Sequence, residues 1–280
     1  MKNGNFKMTK KTKTSKFLEV AEKHKKDSKK EKFSGTFSDY LELLEENKKV
    51  AILAHKKLYG AITKHGITRM SEEDSRCNNL FNGESLKTYD YFQDRFFGME
   101  RPLSKIMRYL HSASMRGEES RQVLLLLGPV GAGKSALVEH IKKALESSGP
   151  LYTLNRCPIN EDPLHLIPRS LRDEFSEIYG VKIEGDLCPI CRHRLLEEHG
   201  GDYMSYPVTE TSFSIRGRRG IGVVPPMDAN TQDTSILIGS EDISKLDLYS
   251  EDDPRALSLN GAFNVGNRGI VEFVEVFKNE

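Results

Sequence analysis

The stretch that most constrains this chain is Val123-Leu124-Leu125-Leu126-Leu127-Gly128-Pro129-Val130-Gly131-Ala132-Gly133-Lys134-Ser135. Five aliphatics run into a glycine-rich turn that satisfies G-x-x-x-x-G-K-[ST] at every fixed position, the phosphate-binding P-loop pattern. Gly128, Gly131 and Gly133 permit positive φ and leave the backbone bare, so successive N–H groups can converge on phosphate oxygens. Pro129, Val130 and Ala132 complete the cradle. Lys134 supplies an ammonium for the β- and γ-phosphates, and the Ser135 hydroxyl is a hard oxygen ligand suited to Mg²⁺. A helix starting here adds its positive dipole end to the same anion site.

The flanking sequence fits that reading. Residues 123–127 form an apolar run of the kind expected of a strand buried on both faces. After Ser135, Leu137, Val138, Ile141 and Leu145 recur at helical spacing while Lys142, Lys143 and Glu146 take the opposite face, and Gly149-Pro150 ends the helix. Strand, loop and helix in register make ATP with Mg²⁺ the expected ligand.

A second element lies near the C-terminal end of the sequence. Asn264-Val265-Gly266-Asn267-Arg268-Gly269 leads into Ile270-Val271-Glu272-Phe273-Val274-Glu275-Val276-Phe277. A P-loop ATPase needs carboxylates on a strand beside the P-loop strand, one to help hold Mg²⁺ and another to polarise the attacking water. Glu275 is the candidate for both the metal and the catalytic role, with Glu272 as a second catalytic candidate. The bland alternative is an edge strand alternating glutamate with apolar residues.

Composition bounds the rest. The 280-residue chain is 37% apolar and 30% charged, and no apolar run nears the roughly 20 residues of a membrane span. The N-terminus lacks the apolar core of a signal peptide, so the expected compartment is the cytoplasm. Four cysteines do not make a disulfide scaffold at this size. The net charge of +1 hides an asymmetry: residues 1–32 hold twelve lysines and four acids, while the remainder is acidic. A basic arm raises nucleic acid as a partner. With only Phe6 and Phe17 as aromatics, no binding motif, and an acidic body that repels phosphate backbones, the arm reads instead as a solvated, disordered tail.

Three regions follow: the tail at 1–32, a helical segment at 33–95, and a nucleotide-binding domain at 96–280. In the second, Phe37, Tyr40, Leu41 and Leu44 share a helix face capped by Thr36 or Ser38, and Ala54, Leu58, Ala61 and Ile62 another within 50–62. Residues 66–90 read as loop. Leu103, Ile106, Met107 and Leu110 mark a helix ahead of the P-loop run. Beyond it, strands are expected at 151–154, 208–215 and 235–238, and helices at 171–179 and 192–199.

Several runs together resemble the N-terminal AAA+ domain of the bacterial PrkA serine protein kinase family. They are Ser34-Gly35-Thr36-Phe37-Ser38-Asp39-Tyr40-Leu41, Phe96-Phe97-Gly98-Met99-Glu100, the P-loop, Cys157-Pro158, Glu161-Asp162-Pro163-Leu164-His165-Leu166-Ile167-Pro168, Arg219-Gly220-Ile221-Gly222 and Asn267-Arg268-Gly269-Ile270-Val271-Glu272-Phe273. The P-loop is generic; the 161–168 and 267–273 runs are more specific. The resemblance implies an α/β P-loop fold of AAA+ type, a parallel sheet flanked by helices, binding ATP in a family credited with serine kinase activity and tied to stress responses. Two departures stand out. Aligned on Gly269, Glu275 takes the Walker B glutamate place, but Val274 stands where the metal-associated aspartate belongs. The sensor strand, helical lid and kinase-like region of the family are not identifiable in this sequence.

Cys188-Pro189-Ile190-Cys191 with His193 has the spacing of half a zinc site, to which Cys157 could add a third thiolate. The same C-x-x-C could be a redox pair, although no strand–turn–helix setting supports that. Reduced, partly buried thiols are the reading the sequence favours. Arg216, Arg218 and Arg219 sit in a Gly-rich turn that could reach an acidic partner or a neighbouring subunit's γ-phosphate, but reads rather as a solvated hairpin tip. No protein-kinase Gly-rich loop, H-R-D or D-F-G set occurs in order. The sequence therefore supports phosphoryl transfer from ATP to protein serine or to water, with a protein substrate or self-assembly as partner. Its alternatives are a nucleotide-responsive binding module without turnover, and an ATP-driven remodeller coupled to proteolysis.

Overall fold

The structure, a computed structural model, describes residues 17–18, 20–22, 32–71, 73–226 and 234–276. The expected basic tail falls almost wholly outside the described residues, as does Phe277. In chain order the elements are β1 (Ser34–Thr36), α1 (Phe37–Glu46), α2 (Ala54–Thr63), β2 (Ile67–Arg69), α3 (Ser75–Phe81), β3 (Lys87–Tyr89), α4 (Asp90–Gln93), α5 (Glu100–Ser114) and α6 (Lys134–Glu146). They continue with β4 (Pro150–Leu154), α7 (Arg172–Tyr179), α8 (Pro189–Glu197), β5 (Pro207–Ser212), β6 (Ile221–Val224), α9 (Ser235–Ile238), β7 (Ser240–Glu241), β8 (Leu257–Ser258), α10 (Ala262–Val265) and β9 (Ile270–Phe273).

Two cores organise these elements. In the first, Leu103, Ile106, Met107 and Leu110 of α5 meet Leu58, Ala61 and Ile62 of α2 and Leu137, Ile141, Ala144 and Leu145 of α6. Side chains three and four apart line one helix face, so the apolar spacing read from the sequence becomes the contact surface. In the second, Phe37, Tyr40 and Leu44 of α1 pack on Tyr152, Leu154, Tyr206 and Val208, together with Cys188 and Cys191. The helices of 37–63 thus bury their faces in two different cores rather than against each other. Each such aliphatic or aromatic side chain contributes about 1.5–3 kcal/mol by leaving water.

Helix α1 starts where the sequence places it. The Thr36 hydroxyl accepts from the Asp39 amide while the Asp39 carboxylate accepts from the Thr36 amide, a reciprocal capping box. Those bonds from Thr36 hold the Asp39 carboxyl below its usual range.

The largest sheet is antiparallel, in the order β1-β5-β4, with Leu154 opposite Val208 and Tyr152 opposite Glu210. Parallel pairing among the described residues is confined to β6 and β9, where Ile221 faces Ile270 and Val224 faces Phe273. Gly269 makes that pairing possible: a Cβ there would lie 1.8 Å from the Gly220 carbonyl oxygen, which accepts from the Ile270 amide at 2.9 Å.

Several sequence expectations are corrected. Residues 123–127 are not a strand: Val123 is 90% and Leu127 77% exposed, and only Leu126 packs against the first core. Among the described residues this run has no ladder partner, and a strand without one has no hydrogen bonds to define it. Of the expected parallel sheet flanked by helices, the described residues show the β6–β9 pair. Residues 235–238 form a helical turn stopped by Gly239 (φ 89) instead of a strand. The 66–90 loop holds the β2–β3 ribbon and α3, around a small core of Met70, Cys77, Phe81 and Leu86. The 50–62 helix begins only at Ala54, after a 3-10 turn at Lys48–Ala51. Helix α8 starts earlier than expected because Cys188 caps it and Pro189 occupies its first position.

Candidate functional site

The P-loop segment has the local conformation its glycines were expected to allow. Gly131 and Gly133 take φ of 80° and 81°, a left-handed region closed to most side chains. Gly128 does not share it. Gly133 caps α6, whose first amides have no intrahelical partner and point out of its N-terminus. A Cβ on Gly133 would stand 4.0 Å from the Met99 sulfur, so the Phe96–Glu100 run packs beside the turn. Lys134 Nζ bridges the turn, donating to the Gly128 and Pro129 carbonyl oxygens at 2.7 Å each. Val130 is fully exposed at the tip. A bare turn, a helix N-terminus and an ammonium thus converge, and these residues fit a polyphosphate.

The carboxylates of the last strand divide. Glu272 does not face the turn but forms an ion pair with Lys142, a residue two turns along α6 and about 10 Å down the helix axis from Ser135. Lys142 also bonds Glu139 Oε1 at 2.7 Å, and its side chain is 2% exposed. Burial lowers the Lys142 pKa, but the bonds to Glu139 and Glu272 outweigh it and the net shift is upward. Glu275 lies beyond the end of β9, exposed, with a left-handed backbone (φ 51). Val274 closes the strand by donating to the Val224 carbonyl at 3.0 Å. The structure thus ties Glu272 to the flank of α6.

A second cluster assembles around the cysteines. The ligand atoms of Cys157, Cys188 and Cys191 all lie within 4.8 Å of one another, and His193 is not among them. Cys157 Sγ and Cys188 Sγ are 3.9 Å apart. The Glu161 amide donates to Cys157 Sγ and the Cys191 amide to Cys188 Sγ, both at 3.3 Å. Hydrogen bonds from Cys188 and Cys191 hold the Cys157 thiol down to about 4 against the cost of burial, and raise those two donors in turn.

Glu161, 2% exposed, accepts from the Cys188 amide at 2.7 Å and bonds His165 Nδ1 at 2.6 Å, while His165 Nε2 meets the Glu184 carbonyl at 2.7 Å. Burial pushes the Glu161 carboxyl up. Burial also opposes the charge on His165, but the Glu161 bond prevails and raises its pKa. Sequence reasoning missed this role for Glu161 and His165, although their four-residue spacing was a legible sign.

The run at 267–273 is anchored to the same region. Asn267 Nδ2 donates to the Ile159 carbonyl at 2.9 Å, and Arg268 pairs with Asp162 at 3.1 Å and donates to the Tyr152 carbonyl. The two most specific sequence runs therefore meet in space, linking the cysteine lobe to the strand beside α6. The Arg216–Arg219 turn closes as a tight hairpin, with Ser214 and Arg219 paired. Among the described residues no helix is long and apolar enough to cross a membrane.

Comparison with known proteins adds a family. The family model of the PrkA AAA domain matches residues 35–280. A Bacillus subtilis protein named ATP-dependent protease PrkA is 41% identical over 268 residues, covering 93% of this chain and 40% of its own length. An Escherichia coli K12 protein named serine/threonine kinase YeaG is 34% identical over 250 residues, covering 87% of this chain and 38% of its own. This chain thus spans about two fifths of the length of these curated relatives. No solved structure matches it.

Proposed function

Because the chain belongs to the PrkA AAA domain family, we propose that residues 128–135 bind ATP with Mg²⁺ and that the domain serves phosphoryl transfer from ATP, to a protein serine or to water. One observation carries this reading: Gly131 and Gly133, both left-handed, present the N-terminus of α6 beneath the Lys134 ammonium. The bare amides of that turn bind and orient the phosphates, and Lys134 neutralises their charge on leaving its carbonyl partners. Ser135 and Glu275 are the groups proposed to hold Mg²⁺, which when bound would offset charge on the transferred phosphoryl group. Glu275 is also the proposed base or water-orienting residue. Glu272, paired with Lys142, is assigned to holding β9 against α6.

A second reading, a nucleotide-responsive assembly module, is favoured by the exposure of the 123–127 run beside the P-loop. That apolar edge suits pairing with another strand, from this polypeptide or a partner, when nucleotide orders the turn. The name of the Bacillus subtilis relative adds the proposal of ATP-driven remodelling coupled to proteolysis. Incubation with γ-labelled ATP separates these outcomes. Label on protein seryl groups supports kinase action, free labelled phosphate supports hydrolysis, and bound ATP with neither supports the module. Absence of ATP binding would overturn all of them.

A further inference from the structure

The cysteine cluster has no part in the P-loop chemistry, yet it is built in detail. Cys157 arrives on the turn after β4, and Cys188 and Cys191 come from the cap and first turn of α8. A tetrahedral zinc site with Zn–S bonds of about 2.3 Å has sulfur–sulfur edges of about 3.8 Å. The Cys157–Cys188 separation of 3.9 Å already matches that edge. It is far longer than a disulfide, whose sulfurs are bonded at about 2.0 Å.

The surroundings favour a cation over three neutral thiols. Backbone amides of Glu161 and Cys191 point at two of the sulfurs, the arrangement that supports thiolates. The Tyr206 side chain is fully buried in the same core as Cys188 and Cys191. Glu161 fixes the Cys188 backbone and is itself fixed by His165, a supporting shell around the sulfurs.

We propose that Cys157, Cys188 and Cys191 form a structural site for a thiophilic divalent cation, zinc above all, supplying three of its four ligands. The site clamps the 157–166 turn to the start of α8 across a 31-residue separation. Through Asp162 and Arg268 that clamp extends to β9. The inference is independent of what the P-loop does.

The test uses the full 280-residue chain, purified under reducing conditions without chelator. Elemental analysis is expected to find about one zinc per chain, released on titrating the thiols with a mercurial. Cobalt(II) added to the zinc-stripped chain is expected to give thiolate-to-metal charge-transfer bands and the intense visible bands of a tetrahedral centre. Cys157→Ser and Cys188→Ser should abolish both signals, Cys77→Ser should leave them unchanged, and Glu161→Gln should weaken cobalt affinity roughly 10–100-fold. Zinc below a tenth of an equivalent together with no tetrahedral cobalt spectrum in the unmutated chain would overturn the proposal. So would retention of both signals in the Cys157→Ser chain. The measurements on the unmutated chain stand whether or not any variant folds.

Discussion

Arg268 Nη2 lies 3.1 Å from Asp162 Oδ2, and both side chains are nearly buried, at 11% and 14% exposure. This pair joins two sequence runs more than a hundred residues apart. Arg268 reaches it from a left-handed backbone (φ 62) in the turn that starts β9, and its guanidinium also donates to the Tyr152 carbonyl. Asp162 in turn caps the 3-10 turn at Pro163–Leu166 by accepting from the Leu164 amide at 3.0 Å. This hydrogen-bonded ion pair thus ties the turn before β9 to β4 and to the 157–166 turn, beside the Asn267–Ile159 bond.

Breaking that pair from one side leaves an uncompensated charge in a water-poor place. Arg268→Ala is expected to destabilise the chain by about 2–4 kcal/mol, with Asp162→Asn costing less because the amide oxygen still caps the turn. A double-mutant cycle by urea denaturation should give a coupling of about 1–3 kcal/mol. Strict additivity of the two substitutions would show that the contact carries no energy.

Lys134→Ala removes a charge-assisted phosphate contact worth about 1.5–3 kcal/mol, so ATP affinity should fall roughly 10–100-fold. Calorimetric titration with ATP measures it. The exposed position of the P-loop turn predicts little change in unfolding free energy, so the loss should not come from misfolding. Equal affinity in the two chains would remove the proposed phosphate site.

Glu272 and Glu275 should behave differently. Glu272→Gln leaves the nearly buried Lys142 with Glu139 as its remaining charged partner and is expected to cost about 1–2 kcal/mol while ATP affinity changes less than about twofold. Glu275→Gln should slow ATP turnover. Thermal unfolding and phosphate release on the two variants check this. A large loss of turnover confined to Glu272→Gln would reverse the assignment.

Lys57 provides a pH signature. Burial, aided by the nearby Arg268 charge, lowers its pKa to about 8, and its ammonium donates to the Pro150 carbonyl at 3.0 Å. The unfolded chain holds that proton up to about 10.4, so between pH 8 and 10.4 the unfolded state binds more protons and stability gains from this group as pH rises. The increment is roughly 3 kcal/mol over the window and is absent below it. Urea unfolding at pH 8 and pH 10 should show this rise in the unmutated chain relative to Lys57→Met, which lacks the group. Identical pH dependence in the two chains would place the Lys57 titration elsewhere.

The local chemistry was legible in the sequence wherever a residue acts on its own neighbours. Thr36 and Asp39 cap α1, Gly131 and Gly133 turn left-handed, and the apolar spacing of 103–110 and 137–145 becomes buried helix faces, because each depends on contacts within a few residues. The segment at 123–127 shows where that reasoning ends. Five aliphatics suit a strand, but strand identity needs a partner ladder, and residues 123–127 have none among the described residues. Glu272 shows the same limit: its side chain pairs with Lys142, whose place beside β9 no local pattern could reveal.

The sequence by itself determined the P-loop turn, the helix that follows it and the types of residue able to meet a triphosphate, since glycine conformation and helix polarity are local properties. The tertiary structure decided which distant groups became neighbours. It brought Cys157 to Cys188 and Cys191, set Arg268 on Asp162 and gave Glu272 to Lys142, because contacts across tens to hundreds of residues depend on how the two cores pack.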